Sequence, residues 1–237
     1  MYQLREYSDA RLRGASVPCT ENHNDITSSR DHVPTKALLD PPYPENLPVV
    51  KTCRECNSAY ARDEEYLAAF LPAVISGSSQ PSPKTFPVAA GILDRSPGLR
   101  KRLDQARQVQ GHLWEEPRMM WMPEAKRVER VVIKNARGHL LFELDRQVVE
   151  PPSYVCVVPL CRMAGEQREE FERPSDPLSG WPEVGGKSMQ RLLSSECGSG
   201  GWITVQHGVY RYAVDEEPKV RVVLREYLGA VVSWAEQ

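Results

Sequence analysis

Hydrophobic residues recur with the period of an α-helix in three stretches of the chain. The clearest stretch runs from about 55 to 75, and its expected buried side carries Tyr66, Leu67, Phe70 and Leu71. Shorter helical patterns cover about 97–109 and 123–144. The pattern therefore predicts helices in the first two thirds of the chain.

Beyond residue 150 the period changes. Continuous apolar runs, rich in β-branched and aromatic residues, predict strands. These runs lie at 154–159, 202–205, 209–214, 220–225 and 228–234. The polar segment 215–219 predicts a hairpin turn between two of them. The C-terminal part is thus expected to be α+β, with an antiparallel sheet and the helices against one face.

The N-terminal part shows shorter signals. Residues 17–33 predict two short strands, and the prolines of 41–44 exclude regular structure and predict a loop. The Ser/Pro-rich run that begins at Ser76 is typical of a linker. We therefore predict a first domain over 1–75, a linker over 76–96 and an α+β domain over 97–237.

Composition sets the broad class of protein. The chain has 237 residues, of which 41% are hydrophobic and 26% charged, and its net charge is −2. No apolar run is long enough to span a membrane, and no signal peptide is evident near Met1, so we expect a cytoplasmic protein with no membrane partner. Six cysteines without the spacing of a disulfide framework are expected to be reduced.

Candidate chemistry is concentrated between Cys19 and Tyr66. Asp31 and His32 are adjacent, Asn46 follows in the predicted loop, and Asn57 comes directly after a C-x-x-C pair. A His can accept a proton from water near neutral pH. Carboxylate and amide oxygens are ligands that Mg²⁺ and Mn²⁺ accept. These residue types favour metal-dependent cleavage of phosphodiester bonds.

This arrangement resembles the HNH endonuclease family over about residues 15–72. The resemblance implies an N-terminal ββα-metal core, also called a His-Me finger. By this resemblance His32 is the general base, and Asp31 and Asn57 are ligands of a catalytic Mg²⁺ or Mn²⁺ ion. Asn46 corresponds to the middle Asn, which steadies the loop and orients the base. Arg62 stands near the position of a phosphate-contacting Lys.

The same resemblance implies a structural zinc ion. Cys53 and Cys56 have zinc-ligand spacing, and Cys19 and His23 would complete a Cys3His site. His23 and the neighbouring Asn22 are alternatives for the last position. Two buried reduced thiols are the other interpretation of Cys53 and Cys56, because free Cys packs as a small hydrophobe. Asn57 can also serve simply as a helix N-cap.

A basic segment follows the predicted linker. Residues 95–137 contain eleven Lys or Arg against five acidic residues. Part of this segment has a spacing that places its cations on one face of a helix, namely Lys126, Arg130, Lys134 and Arg137. Such a stripe is either a solvated helix face or a surface that follows phosphates.

The sequence therefore predicts a metal-dependent HNH-type endonuclease, with DNA as the expected substrate. The family resemblance also implies a restriction-like role in bacterial defence, with a protein partner from a multi-component system. The alternative is a non-catalytic nucleic-acid-binding or assembly module on a zinc-stapled ββα scaffold.

Overall fold

The computed structural model describes residues 16–17, 28–45, 47–110, 118–174, 201–215 and 217–234. Its secondary structure is mixed α and β, as expected. The helices are α1 (Arg54–Ser76), α2 (Pro87–Arg95), α3 (Pro97–Ala106), α4 (Ala125–Leu144) and α5 (Gly165–Glu172). The first five strands are β1 (Ser16–Val17), β2 (Ser28–His32), β3 (Val49–Cys53), β4 (Arg107–Gln110) and β5 (Arg118–Trp121). The others are β6 (Tyr154–Pro159), β7 (Ile203–Gln206), β8 (Tyr210–Asp215), β9 (Lys219–Leu224) and β10 (Leu228–Ser233).

The N-terminal part contains a small sheet followed by a long helix. Its strand order is β1-β3-β2, with β2 antiparallel and β1 parallel to β3. Cys53 ends β3 and is the residue directly before α1, so no loop separates the strand from the helix. The helix predicted over 55–75 is confirmed. The two short strands predicted between 17 and 33 are confirmed as β1 and β2.

Between residues 76 and 125 the structure differs from the predicted elements. The segment predicted as a linker contains α2, which packs against α1 and buries Ile92 and Leu93. The helix predicted over 97–109 ends at Ala106, and the chain then enters β4, which pairs with β5. Strand β4 begins directly after α3 and is only four residues long, which is too short to show a period of its own in the sequence.

The C-terminal part is an antiparallel sheet of five strands in the order β6-β10-β9-β8-β7. All five predicted strands are present. The expectation that helices cover only one face is wrong. Helix α4 contacts one face, whereas Phe171 of α5 packs with Ala213 and Val223 on the other. Gly229 makes this second layer possible, because an added Cβ there would lie 2.6 Å from side-chain atoms of Leu160 and Met163.

One hydrophobic core joins the two parts of the chain. Leu67 of α1, Leu140 of α4 and Val222 of β9 belong to the same buried cluster. Helix α4 lies between α1 and the large sheet and contacts both. In the part of the chain described, no helix has the length and apolar character needed to cross a membrane.

Candidate active site

Strands β2 and β3 form a hairpin whose two faces differ in exposure. Asp31, Val50 and Thr52 are buried, whereas Arg30 and Lys51 are exposed. Successive side chains of a strand point to opposite faces, which explains the alternation. We call the face with Asp31, Val50 and Thr52 the inner face of the hairpin, and the face with Arg30 and Lys51 the outer face. The inner face lies against α1 and α4.

The two adjacent residues of the predicted catalytic pair lie on different faces. Asp31 is on the inner face, and His32, the last residue of β2, follows it on the outer face. His32 is half-buried. The period of two was a signal in the sequence that these neighbours would separate.

On the inner face, Asp31 forms a buried ion pair with a residue of α4. Lys134 Nζ lies 2.7 Å from Asp31 Oδ2 and also contacts Glu64 Oε1 of α1. The Lys134 side chain is only 5% exposed. Three elements that are distant in sequence thus meet through one ammonium group and two carboxylates.

Burial and charge act against each other in this group. Burial raises the pKa of Asp31, and the nearby Lys134 offsets only part of that effect. Burial alone would lower the pKa of Lys134, but the attraction of Asp31 and Glu64 outweighs it and raises that pKa. The lysine therefore stays charged and offsets the charge of one of the two carboxylates that it contacts.

Asn57 lies in the first turn of α1 and faces the same side of β2. Its Nδ2 donates a hydrogen bond to Ser29 Oγ over 3.1 Å. Ser29 and Asp31 are two residues apart, so their side chains leave the strand on one face. The structure therefore brings Asn57 to the face of β2 that also carries Asp31.

Helix α4 packs closely against the residues that follow β2. The Thr35 backbone N–H donates to Asn135 Oδ1 over 3.0 Å, in a buried position. One turn further, a Cβ on Gly138 would lie 2.7 Å from Val33 Cγ2. Only glycine allows this approach, and the approach brings Lys134 within reach of Asp31.

Of the four residues of the predicted basic stripe on α4, Lys134 and Arg137 are buried and Lys126 and Arg130 are exposed. Arg127 Nε and Arg130 Nη1 lie 3.0 and 2.9 Å from the two carboxylate oxygens of Asp63. Arg137 is buried and donates to the carbonyls of Val149 and Glu150, over 3.3 and 3.0 Å. Contact of Arg137 with a phosphate would require these bonds to open.

Three residues of the predicted nucleic-acid surface remain accessible. Lys126 on α4 and Arg62 on α1 are exposed, and Arg130 keeps 45% of its side-chain surface exposed. Lys134, by contrast, is engaged inside the protein. The helical spacing groups these cations on one side of α4, but it did not show that acidic residues of α1 and β2 would form ion pairs with Arg130 and Lys134.

The predicted zinc ligands are described only in part. Cys53 and Cys56 lie at the start of α1 and form no disulfide, and Cys56 is buried. Cys19 and His23, and also Asn46, lie outside the described residues. Among the described residues, no group of three or more His, Cys, Asp or Glu is arranged to hold a metal ion. The zinc site therefore stays a prediction.

The outer face carries a cation pair that the sequence interpretation missed. Arg30 and Lys51 are directly opposite each other in the register of β2 and β3, and both are exposed. His32 lies on the same face, two residues from Arg30. The alternation along β2 and β3 was the signal that would have grouped Arg30 with His32.

The chain was compared with protein-family models, with curated proteins and with solved structures. None of the three comparisons found a match.

Proposed function

We propose that the protein hydrolyses phosphodiester bonds of nucleic acid, with DNA as the substrate, in the manner of an HNH endonuclease. The observation that supports this most is the bond between Asn57 and Ser29. It holds the first turn of α1 against the inner face of β2, where Asp31 lies. The order strand, strand, helix and the positions of Asp31, His32 and Asn57 within it agree with this proposal.

The donor set of the inner face suits a hard divalent cation such as Mg²⁺ or Mn²⁺. Asp31 and Glu64 offer carboxylate oxygens, and Asn57 offers an amide oxygen. A divalent ion bound by both carboxylates would take the place of the Lys134 ammonium, which contacts them in this structure. Asp31 and Asn57 would hold the ion, which when bound supplies positive charge to offset the charge that develops on the cleaved phosphate.

His32 would take the proton from the attacking water. The imidazole lies at the end of β2, so a phosphodiester placed there meets His32 from the outer face. Asp31 would meet the same group from the inner side. General-base catalysis contributes about 10²–10⁴-fold in rate, so loss of His32 should nearly abolish cleavage.

A non-catalytic nucleic-acid-binding or assembly module is the second candidate. The observation that favours it is the engagement of Asp31 by Lys134 in a buried position. In that role the ion pair joins β2 to α4 and needs no exchange for a metal ion. The restriction-like role and the protein partner belong with the first candidate.

Cleavage of supercoiled plasmid with Mg²⁺ or Mn²⁺, and with EDTA, tests the proposal. We expect metal-dependent nicking by the wild type and loss of nicking in His32→Ala, with nucleic-acid binding retained. His207→Ala is a matched control, because His207 is exposed in the turn between β7 and β8. Nicking by His32→Ala at the wild-type rate would refute the catalytic role, and a wild type that binds DNA without cutting it supports the second candidate.

Zinc is tested separately by elemental analysis of the purified protein. If Cys53 and Cys56 ligate zinc, the wild type should carry about one equivalent, and Cys56→Ser should lose both the metal and the fold of the N-terminal part. A zinc-free protein in which Cys56→Ser is as stable as the wild type would make these residues ordinary thiols.

A further inference from the structure

The two edge strands of the large sheet differ in how far they are protected. Strand β7 has four residues, and its register with β8 shifts between Thr204 and Gln206. The Gln206 side chain also exchanges two hydrogen bonds with the backbone of Asp40. A short strand, an irregular register and a covering loop all hinder the addition of a further strand. The β7 edge is therefore closed to such pairing.

Strand β6, at the opposite edge, lacks these features in the part of the chain that the structure describes. It has six residues and pairs with β10 in an unbroken register from Tyr154 to Pro159. In the strand order of the described residues, β10 is its one neighbour. Alternate N–H and C=O groups of β6 therefore point away from the sheet. Such a row of backbone groups is a template for another extended strand.

The side chains of β6 favour pairing with an apolar strand. The sequence of β6, YVCVVP, contains no charged residue, and each of its six positions is half-buried or exposed. Tyr154 keeps 44% of its surface exposed. Charged residues, above all lysine, are a common means of keeping edge strands apart, and β6 carries none. Its proline, Pro159, is the last residue, so the interior of the strand remains able to pair.

The charges on either side of β6 indicate what the added strand is. The nearest charged residue before β6 along the chain is Glu150, the nearest after it is Arg162, and both are exposed. The strand thus has an acidic end and a basic end. When two copies of β6 lie antiparallel, the acidic end of each lies beside the basic end of the other. In its charges and its apolar centre, the strand is therefore complementary to itself.

We propose that β6 pairs antiparallel with β6 of a second copy of this chain. The two five-stranded sheets would then form one continuous sheet across a two-fold axis. The proposal concerns an edge of the large sheet and is independent of the proposed nuclease activity.

The oligomeric state in solution is the first test. Two short strands bury a small area, and small interfaces are typically weak. Sedimentation velocity over about 1–200 µM protein should therefore show a shift from monomer to dimer in the wild type.

Cys156→Lys should weaken this association by roughly tenfold, because it places two like charges close together across the axis. Thr204→Lys is the matched control, since Thr204 is exposed on β7 at the opposite edge of the same sheet. The control should dimerise as the wild type does. The thermal midpoints of both variants show whether the fold is kept.

Cross-linking gives a second test that needs no charged substitution. Cys156 lies near the middle of β6, so an antiparallel pair centred beside it brings its two copies within about 7 Å along the strand. Cys161 is exposed, and Cys161→Ser leaves Cys156 as the one thiol in the tryptic peptide 147–162. A short bismaleimide should then join two of these peptides, which mass spectrometry detects.

The outcomes decide the proposal in either direction. A dimer that Cys156→Lys weakens and Thr204→Lys does not, together with the link between two Cys156 residues, would support it. A wild type that stays monomeric over the whole range would overturn it. So would a dimer in which Cys156 is not linked to its copy, because the contact would then lie elsewhere on the molecule. If Cys156→Lys does not fold, the cross-link alone decides.

Discussion

The charged residues on the two faces of the β2–β3 hairpin differ in exposure: those on one face are buried and those on the other are exposed. On the inner face, Asp31 is buried against Lys134 of α4, which also contacts Glu64 of α1, so one cation serves two carboxylates. On the outer face, Arg30 and Lys51 lie opposite each other in the strand register, and both are exposed. Neighbouring residues of β2 thus have different surroundings, because Asp31 lies in a buried ion pair and Arg30 lies on the exposed face.

The two faces thus differ in whether their charged side chains are buried or exposed to water. A buried ion pair exchanges hydration for a fixed partner, so removal of one member leaves the other unpaired in the interior. An exposed cation keeps its water and can exchange it for a phosphate. The type and number of charged residues are similar on a buried ion pair and on an exposed charged surface. What distinguishes them is whether the charged side chains are buried against each other or exposed to water.

The inner face should be the more sensitive to a single substitution. Lys134→Met would leave Asp31 and Glu64 without their cation, and we expect the free energy of unfolding to fall by about 3–5 kcal/mol. Urea denaturation measures this. Lys126→Met, on the exposed side of the same helix, should change little.

The cause of that loss can be checked by removing the acids as well. Combining Lys134→Met with Asp31→Asn and Glu64→Gln should restore a large part of the lost stability, because no unpaired charge remains. If Lys134→Met alone is as stable as the wild type, the ion pair contributes nothing, and the comparison between the faces fails.

A smaller loss of stability is expected where α4 approaches the segment after β2 most closely, at Gly138. In Gly138→Ala the new Cβ would lie 2.7 Å from Val33 Cγ2. Val33 is β-branched and stiff, so the overlap should cost about 1–3 kcal/mol, less the gain in helix propensity of about 1 kcal/mol. Thermal and urea denaturation measure the net loss.

Shortening Val33 provides the control for this prediction. In the background of Val33→Ala, the space beside residue 138 is larger, and Gly138→Ala should then be neutral or stabilising. Equal destabilisation in both backgrounds would show that contact with Val33 is not the reason for the glycine.

A half-exposed ion pair on the far side of the large sheet should show the smallest effect. Arg211 donates to both oxygens of Glu172, each over 2.9 Å, and these bonds lower the pKa of Glu172. Glu172→Gln should cost about 1 kcal/mol near pH 7. Glu169→Gln, on the exposed side of the same helix, is the control.

The effect of Glu172 should depend on pH in a defined direction. Its pKa is lower in the folded than in the unfolded protein, so its contribution to stability is present above the unfolded value of about 4.3 and is lost as the pH falls through the folded pKa. Wild type and Glu172→Gln should therefore converge in acid. A constant difference down to about pH 3 would contradict this interpretation.

Much of the secondary structure follows from local pattern. The helical period of α1 and the apolar runs of the five C-terminal strands identify these elements in the sequence. They do so because α1 buries one side and the strands bury one or both faces. Helix α2 was missed, since its nine residues follow a Ser/Pro-rich run that is typical of linkers. The end of α3 was placed too late because helix and strand patterns merge over a few residues.

For the candidate site, the sequence by itself determined which residues share a face. The spacing of Arg130, Lys134 and Arg137 places them along one side of α4, and alternation separates Asp31 from His32. These are consequences of backbone geometry, which depends only on neighbours in the chain.

Only the tertiary structure decided what each face meets. Lys134 contacts Glu64, 70 residues away in sequence, and Asp31 still further, because α1, α4 and the hairpin pack around one core. Charge pairing across such separations depends on the packing of whole elements, which local spacing does not encode. The same packing leaves the side chains of Arg30 and Lys51 exposed at the surface.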